Sequence, residues 1–184
     1  MAFAFFLLQC LWLILPGVAA NMTPVLTKRV LPRLAVPIDG GRSWRGKRIL
    51  GDHKTVRGLV LGIIAAILIT MLQKWLYAFH PIQNISILDY ASLPPFLLGF
   101  LMGFGVLLGD MIKSFFKRRL DVKPGEKFIP WDQVDAAFGG MLIVWPMFKF
   151  SWQVVATVVV MTFCLHILTR YIGYWLKITK TPWA

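Results

Sequence analysis

Pro95-Phe96-Leu97-Leu98-Gly99-Phe100-Leu101-Met102-Gly103-Phe104-Gly105-Val106-Leu107-Leu108-Gly109-Asp110-Met111-Ile112 is an apolar run with one ionisable residue, Asp110, and it is followed at once by Lys113-Ser114-Phe115-Phe116-Lys117-Arg118-Arg119. A membrane-spanning helix needs roughly 20 mainly apolar residues, with a range of about 17–25. The run meets that requirement, so it predicts a spanning helix whose charged end emerges at a membrane face. Four further stretches read the same way: Ala2 to about Met22, Gly58 to about Phe79, about Val134 to Phe150, and Trp152 to about Trp175. The stretch from Val134 is the shortest, and Lys149 near its end has to snorkel.

The composition agrees. Of 184 residues, 58% are hydrophobic and 15% charged, and the mean hydropathy is +0.68. A soluble domain carries about 45–50% apolar and about 25% charged residues. An ordinary soluble enzyme, a disordered chain and a collagen-like chain are thereby disfavoured. The formal charge is +12, which in a soluble chain would suggest nucleic acid. Here the bases cluster at membrane edges and no binding module fits between the spans, so no nucleic-acid partner is expected.

Loop charge predicts the topology. Residues 23–57 hold nine basic and two acidic residues, residues 80–93 hold no Lys or Arg, and residues 113–133 hold six basic residues. Basic loops stay cytoplasmic. The expectation is an all-α, polytopic membrane helix bundle with about five transmembrane helices. Its N-terminus lies outside, its C-terminus in the cytoplasm, and the whole of 1–184 forms one integral-membrane domain. Val18-Ala19-Ala20 resembles a signal-peptide cleavage site, but no Lys or Arg precedes Lys28, so a retained first helix is expected. Gly58-x-x-x-Gly62, Gly99-x-x-x-Gly103 and Gly105-x-x-x-Gly109 read as close-packing positions between helices. Cys10 and Cys164 lie inside apolar runs and suggest neither a metal site nor a disulfide.

The segment from Asp110 to Asp135 carries the chemistry. Five of the eight acidic residues fall there, among six bases. If the helix continues, Asp110, Lys113, Ser114 and Lys117 occupy i, i+3, i+4 and i+7 and share one face. An acid at the membrane boundary is costly and points to function; the alternative is an Asp110–Lys113 pair within the helix. Asp132 and Asp135 have a structural alternative as well, Asp132 as N-cap and Asp135 in the first turn. As a functional set, Asp110, Asp132 and Asp135 suit Mg²⁺, which binds through carboxylates and substrate phosphates. With neither His nor Cys nearby, Zn²⁺ is disfavoured. Lys113, Lys117, Arg118 and Lys123 ring the carboxylates, as a polyphosphate site requires. As lipid-headgroup contacts they would leave the three Asp residues unexplained.

The loop from Asp39 to Gly58 is rich in glycine and bases. It is not a Walker A loop, since Arg48 stands where Ser or Thr is required and Lys54-Thr55 lacks a preceding glycine. A topogenic basic loop explains most of it.

Ser114-Phe115-Phe116-Lys117-Arg118, then Lys123, then Asp132-Gln133-Val134-Asp135, resembles the signature of the membrane CTP:lipid-phosphate cytidylyltransferases. The closer resemblance is to the archaeal-type branch, the CDP-archaeol synthase family. It rests also on Pro37-Ile38-Asp39-Gly40-Gly41, Leu50-Gly51-Asp52-x-Lys54-Thr55-x-Arg57-Gly58, Asn21-x-x-Pro24 and Lys123-Pro124-Gly125. Lys123-Pro124 and Gln133 depart from the bacterial phosphatidate branch.

The resemblance implies transfer of CMP from CTP to a membrane lipid phosphate, 2,3-bis-O-geranylgeranylglycerol phosphate, with release of pyrophosphate. It implies Asp110, Asp132 and Asp135 on Mg²⁺, with a second cation an open question. It places Lys113, Ser114, Lys117, Arg118 and Lys123 on the triphosphate or lipid phosphate, and Lys54, Thr55 and Arg57 on the nucleotide. It also implies a multi-pass protein of the cell membrane with its active site facing the cytoplasm. Two other readings stay open on sequence alone: a CDP-diacylglycerol synthase acting on phosphatidate, and a non-catalytic scaffold or transporter. Against a transporter, the ionisable residues gather at the membrane edge and not in mid-bundle.

Overall fold

The computed structural model describes residues 2–122, 126 and 128–177. Its helices are α1 (Ala2–Leu26), α2 (Val56–Leu76), α3 (His80–Ile85), α4 (Pro95–Arg119), α5 (Trp131–Phe148) and α6 (Trp152–Trp175). Between α1 and α2 lie a 3₁₀ turn (Pro32–Leu34) and a two-stranded antiparallel hairpin, β1 (Ser43–Trp44) and β2 (Lys47–Arg48). Among the described residues the fold is all-α apart from that hairpin and one isolated bridge between Pro37 and Thr55.

The bundle is held by close backbone approach and a few buried hydrogen bonds, the forces available where lipid tails are as apolar as the side chains. Pro16 lies within α1; with no N–H, it leaves the Trp12 carbonyl without its helical donor. Gln73 of α2 supplies one, its Nε2 lying 2.6 Å from that oxygen. Pro24 does the same to the Ala20 carbonyl, and there α2 presents Gly62, where a β-carbon would stand 2.9 Å from the Ala20 oxygen.

Helix α4 lies between α2 and α5. Gly99 and Gly103 face α2, where their β-carbons would meet Ile67 Cα at 2.6 Å and Ala66 Cβ at 2.8 Å. Gly105 and Gly109 face α5, with a β-carbon on Gly105 falling 2.6 Å from the Gly139 oxygen. Each glycine pair read from the sequence at 99/103 and 105/109 therefore serves a different neighbour. Helix α6 packs on α5 and α1, and Trp152 and Trp175 at its ends are exposed.

Among the described residues, four helices are long and apolar enough to cross a membrane: α1, α2, α4 and α6. Helix α5 has only 18 residues, with Asp132 in its first turn, and its first five residues include Asp132, Gln133 and Asp135. It begins at Trp131, earlier than the apolar pattern indicates, and that shift corrects one expectation. Asp132 is not the N-cap: Pro130 takes that position. Asp132 sits inside the first turn, where its Oδ2 accepts from the Phe128 N–H at 2.8 Å.

Helix α4 runs unbroken through the charged segment to Arg119, because nothing from Lys113 to Arg119 breaks a helix and no proline intervenes. The C-terminal ends of α1 and α4 and the N-terminal ends of α2 and α5 meet at one end of the bundle, with the hairpin against them.

Candidate active site at the charged end of the bundle

Asp110, Lys113, Ser114 and Lys117 share a face of α4, as the i, i+3, i+4, i+7 spacing requires. Each then finds a partner from another part of the chain. Lys113 Nζ lies 3.0 Å from Asp110 Oδ1, 2.8 Å from Asp135 Oδ2 and 3.4 Å from Asp132 Oδ1. Lys117 Nζ lies 3.2 Å from both carboxylate oxygens of Asp132 and donates to the Glu126 carbonyl at 2.7 Å. Lys54, at the end of the loop before α2, pairs with Asp110 Oδ2. Two helices and one loop thus bring three lysines and three aspartates together, a set with no net charge.

The set is shielded. Side-chain exposure runs from 8% at Asp135 to 23% at Lys54, so its attractions are stronger than the same pairs would show in water. Among the described residues, no three Asp, Glu, His or Cys side chains stand together as a metal site. The three carboxylates converge on the Lys113 ammonium instead of on one another. Their donor chemistry, hard oxygens on two adjacent helices, fits a hard divalent cation such as Mg²⁺.

The remaining expected residues divide. Ser114 is buried and its hydroxyl donates to the Leu50 carbonyl at 2.7 Å. Arg118 follows Lys117, and its Nε is buried with no hydrogen-bond partner among the described residues. Thr55 caps α2, its hydroxyl oxygen accepting from the Gly58 N–H at 3.2 Å. Arg57 is buried and donates to the Lys28 and Val30 carbonyls at 2.7 and 3.2 Å, tying down the chain that leaves α1. Thr55 and Arg57 are therefore engaged beside the cluster, with their hydrogen bonds made to backbone groups and not to its carboxylates. Lys123 lies outside the described residues.

Two residues to which the sequence reading assigned no role organise the first loop. Arg119 donates to the carbonyls of Trp44, Lys47 and Arg48 at 2.5, 2.9 and 2.6 Å, and its guanidinium lies 5.4 Å from the Trp44 ring and 5.2 Å from the Phe115 ring. In sequence it is only the third base of Lys117-Arg118-Arg119. Asp39 is the second. Burial alone would raise its carboxyl pKa. Hydrogen bonds from the Leu50 N–H, the Arg48 guanidinium and the Gly51 and Gly41 N–H groups outweigh burial and hold it well below the usual carboxylate range.

A protein-family model for CDP-archaeol synthase, of CarS-like type, matches residues 3–183. The chain belongs to the CDP-archaeol synthase family. The CDP-archaeol synthase of Pyrococcus furiosus is 33% identical over 178 residues, covering 96% of this chain and 98% of that one. The Archaeoglobus fulgidus CDP-archaeol synthase is 37% identical over 185 residues, with the same coverage of 96% and 98%. That of Methanospirillum hungatei is 40% identical over 157 residues, covering 80% and 90%. A solved structure described as an intramembrane enzyme for archaeal membrane lipids biosynthesis superposes with a TM-score of 0.69 at 27% identity, over 86% of this chain and 90% of that one. As a member of the CDP-archaeol synthase family, the protein is a membrane-embedded, CTP-dependent cytidylyltransferase of the class that forms CDP-archaeol.

Proposed function

We propose that the protein transfers CMP from CTP to 2,3-bis-O-geranylgeranylglycerol phosphate at the lysine–aspartate cluster, giving CDP-archaeol and pyrophosphate. The observation that carries this siting is the convergence of Asp110, Asp132 and Asp135 on Lys113, with Lys54 and Lys117 on the same carboxylates.

The chemistry needs little more than position and charge. The nucleophile is an ionised phosphate oxygen of the lipid, so neither a serine nor a cysteine nucleophile is required. A bond forms from that oxygen to the α-phosphorus of CTP, the α–β bridge breaks, and pyrophosphate carries off the electron pair. Catalysis then consists of aligning the two phosphates and neutralising their charge. Lys54, Lys113, Lys117 and Arg118 supply positive charge, and Lys123 follows them in sequence. Ser114 holds the first loop to α4 through Leu50. Thr55 and Arg57 set the start of α2 and thereby the approach of Lys54. Asp110, Asp132 and Asp135 are the residues that would hold Mg²⁺, which when bound supplies charge neutralisation on the triphosphate.

The same reading places α5 as a fifth crossing and the cluster at the cytoplasmic face of the cell membrane. The nine bases of residues 23–57 and six of residues 113–133 support that orientation through the positive-inside rule. The whole chain then acts as one catalytic domain. Labelled CTP offered with either the digeranylgeranyl ether lipid phosphate or phosphatidate tests the proposal. Faster turnover of the ether lipid is expected; a preference for phosphatidate would make the chain a CDP-diacylglycerol synthase.

A further inference from the structure

Asp39 lies outside the lysine–aspartate cluster and carries none of the roles assigned so far. Its side chain is 1% exposed, a costly place for a charge unless its lone pairs are satisfied. They are. Oδ1 accepts from the Gly41 N–H at 3.0 Å and from Arg48 Nη2 at 2.9 Å. Oδ2 accepts from the Leu50 and Gly51 N–H groups at 3.0 and 3.1 Å. One carboxylate therefore closes the loop from Asp39 to Gly51, a loop whose glycines at 40, 41 and 51 take positive φ.

The closure is passed on to the cluster. The Leu50 peptide is gripped from both sides, its N–H by Asp39 and its carbonyl by Ser114 of α4 at 2.7 Å. The next carbonyl, that of Gly51, accepts from the Lys54 N–H at 3.2 Å. The Lys54 carbonyl accepts in turn from the Ile38 N–H at 2.8 Å, next to Asp39 itself. The backbone on either side of Lys54 is thus fixed, and its side chain reaches Asp110, one helical turn before Ser114 on α4.

We propose that Asp39 is a positioning residue for the transfer reaction: by holding Leu50 and Gly51 against Ser114 it aims Lys54 at Asp110. This rests on the reading that Lys54 handles phosphate. A catalytic group displaced by about 1 Å loses on the order of 10²-fold in rate, so the effect is measurable.

The test is a double-mutant cycle on the purified full chain, read as kcat and KM for CTP. Asp39→Asn keeps the shape and removes the charge and an acceptor. It is expected to lower kcat/KM by about 10²-fold. Lys54→Ala is expected to lose as much, and the Asp39→Asn/Lys54→Ala double variant no more than Lys54→Ala alone, since coupled residues do not add. Losses that multiply in the double variant would overturn the inference while leaving the role of Lys54 intact. Full activity in Lys54→Ala would overturn the reading of Lys54, and the inference with it. Should Asp39→Asn not yield folded protein, amide exchange of the wild-type chain decides: protected Leu50 and Gly51 amides support the inference, and exchange as fast as in an open chain overturns it.

Discussion

Gly109 of α4 lies against the backbone of Asp135 of α5 with no room for a β-carbon between them. That approach lets Asp135 reach Lys113, one turn further along α4, at 2.8 Å. The packing of two helices and the assembly of the charged cluster are therefore one event.

Gly109→Ala is expected to part α4 from α5. Overpacking of this kind costs about 1–3 kcal/mol, and here it also pulls Asp135 from Lys113. A lower unfolding midpoint in detergent and a large loss of turnover are expected together. Gly140→Ala is the comparison. Its β-carbon would press on a Val106 methyl at 3.0 Å, which can shift, and would stand at ordinary contact, 4.0 Å, from the Met102 oxygen, so the effect should be smaller in both measurements.

Lys113→Ala leaves three carboxylates without the ammonium that joins them. Turnover should fall by about 10²–10³, the scale for losing one preorganised electrostatic group, while the protein still inserts and elutes as a single species. Asp132→Ala and Asp135→Ala should each cost orders of magnitude in rate. Near-normal turnover in both would show the metal assignment to be wrong.

Removal of divalent cations with a chelator should abolish turnover, and Mg²⁺ should restore it. Zn²⁺ should restore it poorly, because the donor set offers carboxylate oxygens and neither imidazole nor thiolate.

Arg119→Ala should release the hairpin of β1 and β2. Three backbone carbonyls lose their donor, and each 1.4 kcal/mol lost raises the open population about tenfold. Limited trypsin digestion should then cut at Arg45 or Lys47 at least about ten times faster than in wild type.

The loop closed by Asp39 should depend on pH in one direction. Its carboxyl pKa is lowered in the folded loop from an unfolded value of about 3.9. Such a group contributes stability fully above the unfolded value and loses it as pH falls through the folded one. Amide protection around Leu50, corrected for intrinsic exchange, should be flat from neutral pH to about 5 and decline below about 4. Asp39→Asn should show weaker protection and no such decline.

The α4 face was legible because helical spacing is local: Asp110, Lys113, Ser114 and Lys117 need only an unbroken helix to align. The glycine pairs were legible as packing positions, though not their partners. The pairing of Lys54 with Asp110 was not legible, since 56 residues separate them and only the tertiary fold brings them together. The contacts of Arg119 and Asp39 were hidden for the same reason. Their donors and acceptors are mostly backbone groups, which leave no mark in the sequence. The resemblance placed Arg57 on the nucleotide, and nothing in its local sequence indicated the contacts it makes with the Lys28 and Val30 carbonyls of the chain leaving α1. The polar first turn of α5 explains why its membrane character is weaker than its apolar second half suggests.

Pyrophosphate release from CTP by the purified protein in lipid vesicles bears most directly on the lysine–aspartate cluster as the site of CMP transfer. Release is predicted only when CTP, a lipid phosphate and Mg²⁺ are all present, and it should be lost in Lys113→Ala. No release with either lipid phosphate, or undiminished release by Lys113→Ala, would contradict the account.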